Sequence, residues 1–357
     1  MLNKNKIAVI SSGNGGQAMA AYLSYLGYTV SLYVREHDRV AMFPCDNVFK
    51  LRGIVEGDPA VALISSCMAD VVRDAHLIMV TTPSQYHPVV AREMAEHLED
   101  GQMVVLNPGR TFGAHVFVQT LEQNGNVKQV MVAEAETFVF ACRCARVAEP
   151  VIYGIKENVW VAAHQSNATP QVLSALSKPF PGVFKAARSI YETSFSNIGM
   201  VFHPLPILLN ITRVEAQEKF RFYRDGISPL VANILERLDN ERIAVAKAFN
   251  TSVISAYDWL EIHYGSQGDT LYERIQNTEA YAKIYAPTDI DTRYIFEDML
   301  TGCVPVNYAG QVAKVPTPVI NSAILWASTL YETDFNMNGR NQNVLDFEAL
   351  FAASQTP

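Results

Sequence analysis

No basic cluster occurs in this 357-residue sequence, where 28 Lys and Arg face 36 Asp and Glu for a formal net charge of −8. A surface of that balance repels a phosphate backbone, so nucleic acid is not expected as a partner. Long apolar runs are missing too. The longest, Ile198 to Ile211, contains His203, two prolines and Asn210. It falls short of the roughly 20 apolar residues a membrane helix needs, so no membrane association is expected. Cysteine is scarce: five residues, an odd number without framework spacing, exclude a disulfide scaffold and point to a reducing compartment, the cytoplasm. Met1 to Lys6 runs straight into an apolar strand and leaves no room for a signal peptide. Cys142 and Cys144 would share one face of a strand. No second Cys or His pair stands at ligand spacing beside them, so no metal is expected. Fixed-period repeats and low-complexity segments are likewise lacking.

What is present is a globular composition, 49% hydrophobic and 18% charged, on a chain long enough for two domains with real cores. The first signal is Lys6-Ile-Ala-Val-Ile-Ser-Ser-Gly-Asn-Gly-Gly-Gln-Ala18. Ile7 to Ile10 read as a buried strand, Gly13, Gly15 and Ala18 form G-x-G-x-x-A, and Gln17 to Leu26 continue at helical spacing. Strand, glycine turn and helix together specify a dinucleotide site. On this reading Gly13 permits the tight turn, Gly15 lets a pyrophosphate approach, and Ala18 lets the helix pack on the strand. Gly13, Asn14, Gly15, Gly16 and Gln17 are the cofactor-binding candidates.

Tyr28 to Val34 reads as the second strand. At its end an NAD-preferring site places an acid for the ribose 2′-hydroxyl, but here stands Arg35, with Arg39 one turn on. A guanidinium suits a 2′-phosphate, so NADP(H) is the preferred cofactor and NAD(H) stays open. Small strands are expected around Glu56 to Pro59, within Ile54 to Ser65. The strand Ala75 to Val80 then leads into a loop in which Thr82 and Pro83 should lie along the cofactor. His87 reads as a capping or solvent-facing residue. A helix over Val89 to Leu98 and strands over Gln102 to Leu106, Val130 to Ala133, Phe138 to Arg143 and Val159 to Ala163 complete a doubly wound, mostly parallel α/β domain of the Rossmann type, residues 1–187.

From residue 188 to 357 strand signals fade and helical patterns take over, over Asn233 to Phe249, Val253 to Tyr264, Leu271 to Ala286 and Ser322 to Thr333. In the first of these, Glu236, Arg237, Asp239 and Glu241 are expected to face away from Ile234, Leu238 and Ala244. Two constellations in this half carry chemistry. Asn197 and His203 interrupt an apolar segment, with Pro204 and Pro206 forcing a kink beside the histidine. Asp289 or Asp291 is placed to cap a helix that Gly302 ends. Within it Arg293 and Glu297 stand at i and i+4, while Arg293 and Asp298, five apart, can flank a small anion but hardly grip each other.

The glycine loop, Thr82-Pro83, the Asn197…His203-Pro204 segment and Arg293-Tyr-x-x-Glu-Asp298…Gly302-x-Val-Pro305 together resemble the opine dehydrogenases, the octopine/nopaline dehydrogenase family. The match touches both halves in order. The resemblance implies a Rossmann domain followed by a mostly helical domain. It also implies reductive condensation of a 2-oxo acid such as pyruvate with the amino group of an amino acid. It makes His203 and Asp298 a catalytic dyad and Arg293 and Asn197 substrate-binding residues. Ketopantoate- and glycerol-3-phosphate-type reductases share the plan but rely on a lysine absent from both constellations. A non-catalytic NADPH-sensing protein is the third reading. Glu134, Glu136, Glu215 and Asp225 remain open as partners for a basic amino-acid side chain, and a homodimer remains open as the assembly.

Overall fold

The apolar run Ile7 to Ile10 is at most 2% exposed because it forms the middle of a sheet covered on both faces. The computed structural model describes residues 2–356. Packing divides the chain into two units, Met1–Thr193 and Ser194–Pro357.

In the first unit the strands are β1 (Asn3–Ile10), β2 (Thr29–Tyr33), β3 (Arg52–Gly53), β4 (Leu63–Ser65), β5 (Ala75–Val80), β6 (Met103–Leu106), β7 (Met131–Ala135), β8 (Phe140–Cys144), β9 (Pro150–Ile155), β10 (Val159–Ala163) and β11 (Phe184–Ala186). Eight of them form one sheet in the order β11-β10-β7-β6-β5-β1-β2-β4. It is parallel except where β10 runs antiparallel to β7. The chain moves outward from β1 through β2 to β4, then returns to β5 on the other flank. That reversal opens a crevice at the C-terminal ends of β1 and β5, where such sheets bind ligands.

The side chains of β1 alternate between two cores. Ile7 and Val9 pack with Met19 and Leu23 of α1 (Asn14–Tyr25). Ala8 and Ile10 pack with Val90 and Met94 of α2 (His87–Met94) and Phe117 of α3 (Gly113–Gln123).

Several expectations are corrected here. The strand expected over Phe138 to Arg143 is β8, which leaves the main sheet and pairs with β9 in a small sheet ordered β3-β9-β8. Ile54 to Ser65 yields β4 alone, because β3 lies just before it and Gly57, inside the expected turn, bridges back to Leu51. His87 does not face solvent. It is fully buried at the start of α2, with its ring edge-on to Phe117.

The second unit is helical: α4 (Gly199–Phe202), α5 (Pro204–Leu209), α6 (Pro229–Ala248), α7 (Ala256–Tyr264), α8 (Leu271–Asn277), α9 (Arg293–Asp298), α10 (Val304–Val312) and α11 (Pro318–Leu330) are the elements used below. α6 starts four residues earlier than expected, since Ser228 caps it through Val231 N and Pro229 takes the first turn, where no N–H is missed. Its buried stripe is offset from expectation. Asp239 and Arg242 are inside and Ala244 is outside, because the two charges neutralise each other at i and i+3. The helix expected over Leu271 to Ala286 stops at Asn277. Thr278 turns to an extended conformation and its hydroxyl bonds Arg274 O and Ser266 Oγ.

Gly302 does not end a helix. Residues 299–303 form a π turn that carries α9 on into α10. Pro305, at the start of α10, has no N–H to close an ordinary turn back to residue 301, and the ladder widens there. Thr292, not Asp289 or Asp291, caps α9, accepting from Tyr294 N at 3.3 Å. Among the described residues no helix is long and apolar enough to cross a membrane, and no group of three or more His, Cys, Asp or Glu is arranged to hold a metal ion.

Candidate functional site

The glycine loop sits at the C-terminal end of β1, and its geometry shifts the motif by two residues. Ser11 has φ +149°, a backbone region that side chains rarely adopt, and so occupies the turn position. Gly13 is the exposed N-cap of α1 in ordinary extended conformation, where a Cβ would meet only Ser11 Oγ at 3.5 Å. A Cβ on Gly16 would fall 1.8 Å from Ser11 O, so Gly16, not Ala18, is the residue that lets helix and strand close. A Cβ on Gly15 would lie 2.9 Å from the ring of Phe138, so packing as well as any ligand asks for glycine there.

The loop is tied down from outside. Asn14 Oδ1 accepts from Cys144 N at 3.0 Å. Gln17, buried, donates to Ser12 O and accepts from Ala148 N, both at 2.7 Å. Cys142 and Cys144 share a face, as expected, and both thiols lie against Asn14 O.

These residues fit a dinucleotide. Gly13 and Asn14 are exposed at a helix start whose first turn carries no acid, so the partial positive charge of the helix end is unopposed. Thr82 Oγ1, at the end of β5, is buried with no hydrogen-bond partner, a polar atom suited to receive a ligand group, and Pro83 beside it is exposed. Arg35 ends β2 half-exposed, its Nε 3.5 Å from Glu93 Oε1 of α2. Tyr33 OH donates to the other oxygen of Glu93 at 3.0 Å, and burial together with this bond pushes the phenol up to about 12. Arg39 turns instead to Glu36, at 3.5 Å.

In the second unit the prolines do what the kink argument requires. The chain breaks at His203, φ −109° and ψ −58°, between α4 and α5. His203 Nδ1 lies 2.7 Å from Asp298 Oδ2, two residues 95 apart in sequence. Asp298 is wholly buried, whereas the histidine side chain keeps 14% of its surface exposed. Tyr294 stacks on the imidazole, centroids 4.1 Å apart and planes 11° apart. Arg293 is exposed over 58% of its side chain, and its Nη1 meets Glu297 Oε2 at 3.3 Å, the i, i+4 pair expected.

Asn197 is fully buried and packs against the π turn. A Cβ on Gly302 would sit 3.0 Å from Asn197 Nδ2 and 2.8 Å from Met200 Cβ. Glycine is needed there for close approach.

The carboxylates left open separate cleanly. Glu134 is buried and accepts from Ala114 N and Thr193 Oγ1, each at 2.7 Å. Asp225 is held by Arg221, which keeps its carboxyl down at about 2. Glu215 is exposed. Glu136 is buried with Trp160 N as a donor at 3.1 Å, and burial pushes it up to about 7. Three contributors escaped the sequence reading: Ser11, Glu93 and Tyr294. Only Tyr294 left a signal, its i, i+4 spacing from Asp298.

Residues 186–331 match the family described as NAD/NADP octopine/nopaline dehydrogenase, alpha-helical domain, and residues 6–133 match the NAD-dependent glycerol-3-phosphate dehydrogenase N-terminus. The chain is 34% identical to the opine dehydrogenase of Arthrobacter sp. (strain 1C), over 99% of this chain and 98% of that protein. Its fold is similar to that of octopine dehydrogenase solved with NADH and L-arginine, with a TM-score of 0.83 at 20% identity, covering 99% of this chain and 98% of that one. It is also similar to NADP+-bound yersinopine dehydrogenase, with a TM-score of 0.77 at 13% identity and 99% coverage of both chains.

Proposed function

Because the chain belongs to the opine dehydrogenase family, NAD(P)-dependent oxidoreductases acting on secondary amines, we propose that it joins a 2-oxo acid to an amino acid, with His203 and Asp298 as its acid–base dyad. The single observation that supports the dyad is the 2.7 Å contact between His203 Nδ1 and buried Asp298. An ionised Asp298 accepts the Nδ1 proton, fixes that tautomer and leaves Nε2 as the atom that exchanges protons.

His203 then takes a proton from the amine as it adds to the oxo carbon and gives it to the oxo oxygen, and next carries the second amine proton to the resulting hydroxyl, which leaves as water. The product of these two transfers is an imine. A bound nicotinamide supplies the hydride that reduces the imine carbon. Arg293, exposed and steadied by Glu297, holds a substrate carboxylate bidentately, with Asn197, buried beside the π turn, as the second substrate-binding residue. The reading gives residues 1–187 to the cofactor and 188–357 to catalysis. Gly13, Asn14, Gly16 and Thr82 are the pyrophosphate-side residues, and Arg35, oriented by Glu93, favours the 2′-phosphate of NADP(H) over NAD(H).

The test follows NADPH absorbance against a panel of 2-oxo acids, pyruvate first, and amino acids. Consumption only when both substrates are present supports the proposal. Consumption with an oxo acid alone would indicate a ketopantoate-type reductase, and binding without consumption a sensor. Replacing His203 by alanine should leave NADPH affinity intact and lower turnover by at least ~100-fold. Turnover near wild type would remove the dyad. Parallel kcat/KM values for NADPH and NADH decide the cofactor.

A further inference from the structure

Resting on the reading of His203 as the acid–base group, we infer that Tyr294 is a positioning residue that fixes the plane of the imidazole. A hydrogen bond from Nδ1 to Asp298 Oδ2 holds one atom of the ring. It leaves rotation about the N–H···O axis, and that rotation swings Nε2 through an arc. The ring of Tyr294, parallel to the imidazole within 11° at 4.1 Å, blocks it. Edge and face of the histidine are thus held by two side chains four residues apart on α9, the spacing that places residues on one helix face.

Tyr294 is itself backed. Phe222, fully buried, lies 5.1 Å behind it at 39°, and the Arg293 guanidinium carbon stands 5.4 Å from its ring centre. Thr292 pins the start of the helix through Tyr294 N. One six-residue helix therefore carries the group assigned to the substrate carboxylate, the group that orients the histidine ring and, at its end, the aspartate.

The ring, not the hydroxyl, is the active part, which separates this role from proton transfer by tyrosine. Tyr294→Phe should keep kcat within about threefold of wild type. Tyr294→Leu and the unbranched Tyr294→Met should lower kcat by about 10- to 100-fold, the scale of a misplaced reacting group. KM for both substrates and NADPH affinity should stay within about twofold, because a tilted imidazole affects proton transfer rather than binding. The two aliphatic variants guard against one of them failing to fold, and circular dichroism checks both. Wild-type kcat in either folded aliphatic variant would overturn the inference. So would a Tyr294→Phe as impaired as Tyr294→Leu, since the hydroxyl would then be the working group. His203→Ala in the same assay keeps the two claims apart. If that variant turns over normally, the dyad fails; if it is inactive while Tyr294→Leu is normal, only the clamp fails.

Discussion

Two aspartates in the second unit are buried against a basic partner, and the partners differ in what surrounds them. Asp239 and Arg242 form a closed set. Asp239 Oδ1 accepts from Arg242 Nε and Nη2 at 2.8 and 2.6 Å, and Oδ2 accepts from Ala256 N at 2.7 Å. The guanidinium also donates to Phe195 O and Ile254 O, and Arg242 has no exposed surface. Asp298 is as deeply buried, but its partner His203 keeps an exposed edge. The closed pair joins α6 to the segments before and after it, whereas the pair with an edge can pass protons. Burial of the acid is common to both pairs; an exposed edge on its partner is what only the proposed dyad has.

The comparison is broken most severely at Arg242. Replacing it by alanine leaves Asp239 charged and buried and removes donors from two carbonyls. The expected loss is about 3–5 kcal/mol, read as a fall in the urea midpoint, with activity per folded molecule unchanged. A loss below about 1 kcal/mol would mean the closed set is not structural. Asp298→Asn sharpens the other side. The amide keeps the shape but no longer stabilises an imidazolium, so kcat should fall by ~100-fold or more while the midpoint moves little. If Asp298→Asn lowered the midpoint sharply and left kcat per folded molecule intact, the two pairs would have exchanged roles.

These pairs also mark how much was legible in the sequence. The strand–glycine–helix unit was readable because its order is local, yet its register slipped by two. Ser11 stands where glycine is usual, with φ +149°, and a search for glycines passes over it. The burial of Asp239 was hidden because a charge three residues from its counter-charge looks like any solvated pair. Gly302 looked like a helix stop, since glycine after a helical run usually is one, but its lack of a side chain serves packing against Asn197 and Met200. No periodicity links residues 95 apart, so the contact of His203 with Asp298 came from resemblance and not from spacing.

A third buried acid extends the comparison. Glu136, in the first unit, has a backbone donor, Trp160 N at 3.1 Å, but among the described residues forms no ion pair like those of the two aspartates. Lys156, whose Nζ donates to Thr137 Oγ1 at 2.7 Å, draws the carboxyl only partway back. Burial therefore dominates, and the carboxyl is pushed from 4.5 up to about 7. The folded state then holds a proton that the unfolded chain has lost between those two values. Stability is full at the acid end of that window, falls as pH rises through it and levels off above about 7. Glu136→Gln removes the titration and keeps the shape. The variant should lack a decline of about 2 kcal/mol that the wild type shows between roughly pH 5 and pH 8, measured by urea unfolding at intervals across the range. Identical slopes in both proteins would show that Glu136 finds its charge compensated. It would then belong with Asp239, as a closed acid, and not between the two pairs.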